Sequence, residues 1–461
     1  MILVAIVIVF LFMYALVTKP SLVAVVFFTI TIADINAAIP GLPVNFRALL
    51  GLALFARTLL PMKLEPHDRF FSSQAKYIVL FILYTVVLTE FYELLTFDYV
   101  KTSALTFVSA YTGYHFFFKT NDTRLLKISL FIAGIICFSD LLYTYATEGG
   151  FPVLRIYKAL LQIPPDLDEN GNILEVINHG FYGLVCGMCF VVLLADYINN
   201  ILWNKLLILL FPVMFLGVLM STSRSALMGV AGISLFIIAR EINHRARWKR
   251  AVSLMMIIFS TLIIALILFT SVQTLFNLNT RFLDNIMLRL VDEPIAVMNK
   301  HLGLSYNANS LDAMEWRTEA SSDALAAFLS LRFIEEFFGI GFWGYVTRNL
   351  GHSNLPPHNG VLMLLIEFGI VGLVSWILMM YSVLRKSFRV KDMTSPVSVS
   401  IIFIILFSLA NNAELTGSIM FLFVSTLIAE NQYHGGLVQN LKKIVSRVER
   451  KGLKPVAEHE K

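Results

Sequence analysis

Apolar residues in this chain fall into long, nearly unbroken runs rather than one-sided stripes. Such runs are buried or lipid-facing all round, and they predict membrane-spanning helices. The runs cover 2–18, 21–38, 46–60, 77–95, 104–118, 127–145, 181–198, 202–220, 225–238, 251–270, 361–384, 397–410 and 417–429. A bilayer core of about 30 Å takes about 20 residues of helix, and several runs are shorter, so the count is twelve or thirteen. A polar connection at 148–176 interrupts the series, and 271–357 is its one domain-sized polar region. Within it, 322–338 places apolar residues at helical spacing with charges between them, which predicts helices on or near the outer membrane face. The fold class is therefore all-α: a polytopic integral membrane protein with one large helical extracytoplasmic loop. It divides into an N-terminal transmembrane bundle (1–270), the loop (271–357), C-terminal transmembrane helices (358–432) and a basic cytoplasmic tail (433–461).

Composition agrees with this reading. The 461 residues are 57% hydrophobic and 15% charged, with mean hydropathy +0.74, outside the range of soluble domains. The net charge of +5 has a topological origin, because Lys and Arg cluster in short connections. Lys63 with Arg69 and Lys76, Lys119 with Arg124 and Lys127, 240–250, 385–391 and the tail all read as cytoplasmic. That leaves 148–176, 221–224 and 271–357 outside, and a nucleic-acid partner is not indicated. The first run has neither a basic leader nor a small-residue cleavage site and reads as a retained span. Cys186 and Cys189 have redox-pair spacing, yet they sit in an apolar run without a second pair or a flanking ligand, so they read as core cysteines.

Arginine on the outer side runs against the usual bias and needs a reason. Arg47 stands at an outer span start, Arg224 follows Ser221-Thr222-Ser223, and Arg317 lies in Trp316-Arg317-Thr318-Glu319. Guanidinium forks match phosphate oxygens bidentately. Snorkelling at a helix end is the competing reading for Arg47, and a loop salt bridge for Arg317. His179 starts another outer span. Pro356-Pro357-His358-Asn359 closes the long loop where it turns into a spanning helix. On an ideal helix, at about 100° per residue, His358, Gly369 and Gly372 share one stripe. A neighbouring helix could approach closely along those glycines, with Glu367 on the opposite side. Asp34, Glu90, Glu93, Asp140 and Glu414 lie in or near spans, and charges at such depth are functional candidates. The chain carries no phosphate-cradling loop, metal-binding carboxylate cluster or nucleophile elbow. A reaction outside the membrane would thus need a donor activated beforehand.

His358-Asn359 followed by Gly369-Ile370-Val371-Gly372, together with Ser221-Thr222-Ser223-Arg224-Ser225-Ala226 and Gly339-Ile340-Gly341-Phe342 in the same order, resembles the bacterial O-antigen ligases and their polymerase relatives. The resemblance implies a metal-independent, inverting glycosyltransferase with no cofactor, multi-pass in the bacterial inner membrane and facing the periplasm. Its donor would be an undecaprenyl-diphosphate-linked glycan, its acceptor a glycan or lipid A-core, and membrane lipids would surround the donor tail. Carried residue by residue, His358 would activate the acceptor hydroxyl, and Arg224 and Arg317 would bind the diphosphate. Arg47, His179, Ser223, Asn359, Gly369 and Gly372 would border the substrates. Neutral imidazole suits a base working near ambient pH. Within the superfamily, the expected role is a polymerase of O-antigen or exopolysaccharide repeat units, with an O-antigen ligase as the alternative. From another class, a lipid-linked oligosaccharide flippase is the competitor, but transporters place paired broken helices at the midplane, whereas these candidates gather at one face.

Overall fold

A computed structural model describes residues 18–35, 45–59, 70–120, 122–148, 179–199, 205–243, 248–275, 292–304, 312–348, 350, 359–390, 395–409 and 415–433. Among them the regular structure is helical, with no strand. The helices are α1 (Pro20–Ile32), α2 (Phe46–Leu59), α3 (Ala75–Phe91), α4 (Phe97–Thr120), α5 (Arg124–Glu148) and α6 (His179–Ile198). A 3₁₀ turn leads into α7 (Leu210–Met220), followed by α8 (Arg224–Asn243) and α9 (Trp248–Leu275). The outer segment contains α10 (Glu293–His301), α11 (Asp312–Leu329), α12 (Phe333–Phe338) and α13 (Gly344–Thr347). The chain then forms α14 (Gly360–Val390), α15 (Pro396–Ser408) and α16 (418–433).

Helices α5, α6, α8, α9 and α14 are long and apolar enough to cross a bilayer, while α1, α7 and α15 are shorter apolar helices. Their packing is unequal. The apolar window of α6 is 94% buried and that of α9 only 22%, so α6 is the axis of the bundle and α9 presents Met256, Phe259 and Ile267 to lipid. Close contact around α6 depends on missing side chains. A Cβ at Gly187 of α6 would stand 2.3 Å from the Phe403 ring of α15, and one at Gly229 of α8 2.8 Å from the same ring. Phe403 is thereby held between two helices, α6 and α8. Cys186 and Cys189 are buried in α6, and the Cys189 thiol donates to the Leu130 carbonyl at 3.1 Å, as core cysteines do.

The expected helix over 322–338 is two helices at an angle. The chain turns at 330–332, and the Arg332 N–H donates to Glu335 Oε2 at 3.2 Å to start α12. Ala324, Ala327 and Phe328 of α11 pack with Ile340, Tyr345 and Ile366 as a second, smaller core that seats the outer segment on α14. Arg348 fastens the same segment to the turn after α3, bonding Glu335 at 2.8 Å and stacking on the Tyr92 ring at 4.7 Å. Burial works to raise the Glu335 carboxyl, but the Arg348 guanidinium and the Arg332 N–H outweigh it and hold it below the usual carboxylate range.

Lys127, expected in a solvated basic loop, is instead buried in the first turn of α5. Its ammonium lies 2.9 Å from Asp196 of α6, with side chains 8% and 1% exposed. A buried pair adds little net stability, yet removing one partner leaves an uncompensated charge costing about 3–5 kcal/mol. Lys127→Met should therefore lower the thermal unfolding midpoint of the detergent-solubilised protein markedly, and adding Asp196→Leu should recover most of the loss. A double variant no more stable than the single one would exclude charge burial as the cause.

Candidate active site

The site is organised by the start of α14. Asn359 caps this helix: its Oδ1 accepts the N–H groups of Val361 and Leu362, both at 3.1 Å. His358, the residue before the cap, lies outside the described residues. Nine residues past its start the helix breaks, because Gly369 adopts φ 66° and ψ −174°. Only glycine tolerates that conformation readily.

The break frees carbonyls that membrane surroundings cannot solvate, and the outer segment fills them. Ile340 N–H donates to the Ile366 carbonyl at 3.2 Å, and Gly341 N–H to that of Glu367 at 2.9 Å. The Tyr84 hydroxyl of α3 lies 2.7 Å from the Phe338 carbonyl and 2.9 Å from that of Phe368, tying both strands of the contact to a third element. The two backbones touch directly. A Cβ on Gly339, at φ 90°, would fall 2.3 Å from the Glu367 carbonyl oxygen, and one on Gly369 2.4 Å from the Gly339 nitrogen. Gly339-Ile340-Gly341-Phe342 and the glycine of the histidine motif are thus two halves of one clasp. The clasp continues through Phe342 N–H to Thr89 Oγ1 at 3.1 Å and Trp343 N–H to Glu367 Oε1 at 3.0 Å.

Beside this clasp lies a cavity of about 370 Å³, walled by α1, α2, α3, α4, α14 and the start of α16. Glu367, only 6% exposed overall, lines it with Gly360 and Leu364 from the same face of α14. Across from them stand Asp34 and Arg47, joined at 2.8 Å. Asp34 ends α1 in the left-handed region, at φ 48°, which carries its carboxylate to the first turn of α2. The Arg47 charge is therefore met within the protein, and neither snorkelling nor a bare diphosphate clamp describes it. Tyr99 and Phe342 stack at 4.4 Å in the wall.

A second polar cluster lies at the same end of the bundle. Ser223 caps α8, its Oγ accepting Ala226 N–H at 3.3 Å, and Thr222 turns the chain at φ 49°. Arg224 is the first residue of α8, half-buried beside buried Ser221, Thr222, Ser223 and Ser225. A cation there opposes the helix dipole, so helix stability does not favour its position. The first turn of α6 packs onto this hairpin, since a Cβ at Gly183 would lie 2.5 Å from Ser221 Oγ. That contact brings the α6 start, at His179, to the same end. Helix α15 joins the clusters: Phe403 lies between α6 and α8, and the Ser408 carbonyl is 3.2 Å from a Cβ on Gly360.

The structure corrects the sequence reading in two places. Gly369 is a break that admits a loop, rather than part of a continuous stripe; Gly372 does meet a neighbouring helix, a Cβ there lying 3.4 Å from the Tyr84 ring of α3 as well as 2.4 Å from its own helix's Phe368. Arg317 lies on helix α11 rather than in a loop; the structure does not describe its side chain or that of His179. Glu367 is the residue the sequence reading missed: an ideal helix extrapolated back to His358 turns it away, whereas the cavity lies on its side. Its signal was a carboxylate inside a spanning segment.

Gly339→Ala and Gly369→Ala should each destabilise the protein by about 1–3 kcal/mol from backbone strain alone, with the steric clash added. Thermal unfolding of the solubilised variants measures this, and midpoints matching the parent would show that the clasp does not hold α14.

No curated protein matches the chain significantly. A family model does match, under the description O-Antigen ligase, over residues 208–377. That segment holds Arg224, Arg317, His358 and both halves of the clasp, while Arg47 and His179 lie outside it. This match supports, for that segment, the O-antigen ligase and polymerase superfamily and membrane glycan processing of that type.

Proposed function

We propose that the protein is an inverting glycosyltransferase that polymerises glycan repeat units carried on undecaprenyl diphosphate at the outer face of the bacterial inner membrane. The observation that carries this reading is the gathering of two unlike polar clusters at one end of the bundle. One is a cationic helix start at Arg224, and the other is a hydroxyl- and carboxylate-lined cavity beside the cap that follows His358.

In the proposed reaction His358 takes the proton of an acceptor sugar hydroxyl as that oxygen attacks the anomeric carbon of the donor. The carbon–oxygen bond to the diphosphate breaks, and its electron pair leaves with the phosphate. Arg224 and Arg317 stabilise the charge that grows there, a task guanidinium groups can perform without a metal. Ser223 fixes the α8 start so that its amide N–H groups face the same anion. The break in α14 supports an enzyme rather than a flippase, because the chain's own Gly339–Phe342 segment occupies it. The ligase alternative, transfer of finished glycan to lipid A-core, draws on the family description itself.

His358→Ala should reduce transfer by about 10²–10⁴-fold, the usual contribution of a general base, measured as glycan formed in a complemented deletion strain with the membrane level of the variant matched. Glycan near the parental amount would remove the proposed base. Arg224→Lys should also lose most activity, since a point charge cannot form the bidentate contact. In the deletion strain, single-repeat chains on lipid A-core identify a polymerase, and bare core with accumulated lipid-linked polymer identifies a ligase.

A further inference from the structure

The cavity beside α14 contains groups that its protein neighbours leave unsatisfied. Thr31, 1% exposed, has a buried hydroxyl without a hydrogen-bond partner, and the Nε–H of Arg47 is likewise buried and unpartnered. Both residues line the cavity. Buried polar groups are nearly always paired, so two unpaired donors on residues that line one space point to an acceptor that arrives with a ligand.

The charge of the walls narrows the class of that ligand. Asp34 offsets Arg47 at 2.8 Å, so the cation of the cavity is matched by a carboxylate. The cavity offers a diphosphate or a uronic acid no uncompensated positive charge. Eight hydroxyl side chains line it, with the stacked Tyr99 and Phe342 rings in the same wall. Dense hydrogen-bonding groups beside aromatic faces suit a molecule with many hydroxyls and an apolar ring face. At about 370 Å³ the space is near the small end of ligand sites, which run from roughly 300 to 1,000 Å³. It takes one or two sugar units and no polymer.

We propose that this cavity is the acceptor-sugar subsite, holding an uncharged sugar with its oxygens on Thr31 and the Arg47 Nε–H. The assignment to the acceptor rests on the glycosyltransferase reading, because Gly360 of the cavity wall follows His358 by two residues. Arg47 thereby recognises sugar, and the diphosphate is left to the Arg224 cluster.

Saturation-transfer difference NMR on the full-length protein in nanodiscs tests this with methyl glycosides of glucose, galactose, mannose and rhamnose, and with N-acetylglucosamine, glucuronic acid and inorganic diphosphate. At least one neutral sugar should saturate with Kd on the order of millimolar, as its size allows, and inorganic diphosphate should not displace it. Thr31→Val, which keeps the side-chain shape, should weaken that sugar about three- to tenfold. Monodisperse size-exclusion profiles establish that the variants fold. Absence of saturation across the neutral panel, displacement by diphosphate, or unchanged binding in Thr31→Val overturns the subsite. Binding requires no turnover, so a glycan-transfer assay on the same samples separates the two readings. Transfer without sugar binding refutes the subsite alone. Binding without transfer supports a sugar site and refutes the enzyme.

Discussion

A backbone polar group inside a membrane has no water to turn to, and a helix that breaks there must find its partners in the protein. Gly369 breaks α14 and exposes the carbonyls of Ile366, Glu367 and Phe368; Ile340, Gly341 and Tyr84 complete them. The rest of this end of the bundle depends on this contact. It sets where the large loop docks, and it aims Glu367 at Trp343 and the cavity. It also explains why two glycine motifs about thirty residues apart in the chain belong together: neither backbone could approach the other with a Cβ in place.

The helical bundle was legible in the sequence because a spanning helix needs an unbroken apolar run, and composition alone shows one. The expected span 251–270 is the middle of α9, and 181–198 is nearly all of α6. Ends were less readable. The first turn of α5 holds Lys127, which local sequence assigns to solvent, and only the packing of α6 supplies Asp196 as its partner. The same limit applies to Arg47. Its partner Asp34 is thirteen residues away across a helix end, brought close by a left-handed residue that periodicity does not report.

Site chemistry was legible where it lies in residue type and order, and illegible where it lies in direction. Arg224 after three hydroxyl residues is visible as a pattern, and so is His358 before Asn359. The orientation of Glu367 was extrapolated through a helix cap at one end and a break at the other, and ideal geometry holds across neither. Likewise, apolar spacing over 322–338 identified helical material, but not the turn at 330–332 that separates α11 from α12 and lets the second core form beneath them.

The division of charge at the outer end bears on how one face can handle two substrates. A lipid diphosphate and a sugar differ most in charge, and a site of uniform sign would attract the donor to the acceptor's place. Here the cation at the α8 start stands beside hydroxyls, whereas the cation of the cavity is matched by Asp34. On the proposed reading, the donor's phosphates are drawn to one cluster and kept from the other by the same electrostatics. Sorting of this kind needs both arginines and cannot be deduced from either alone.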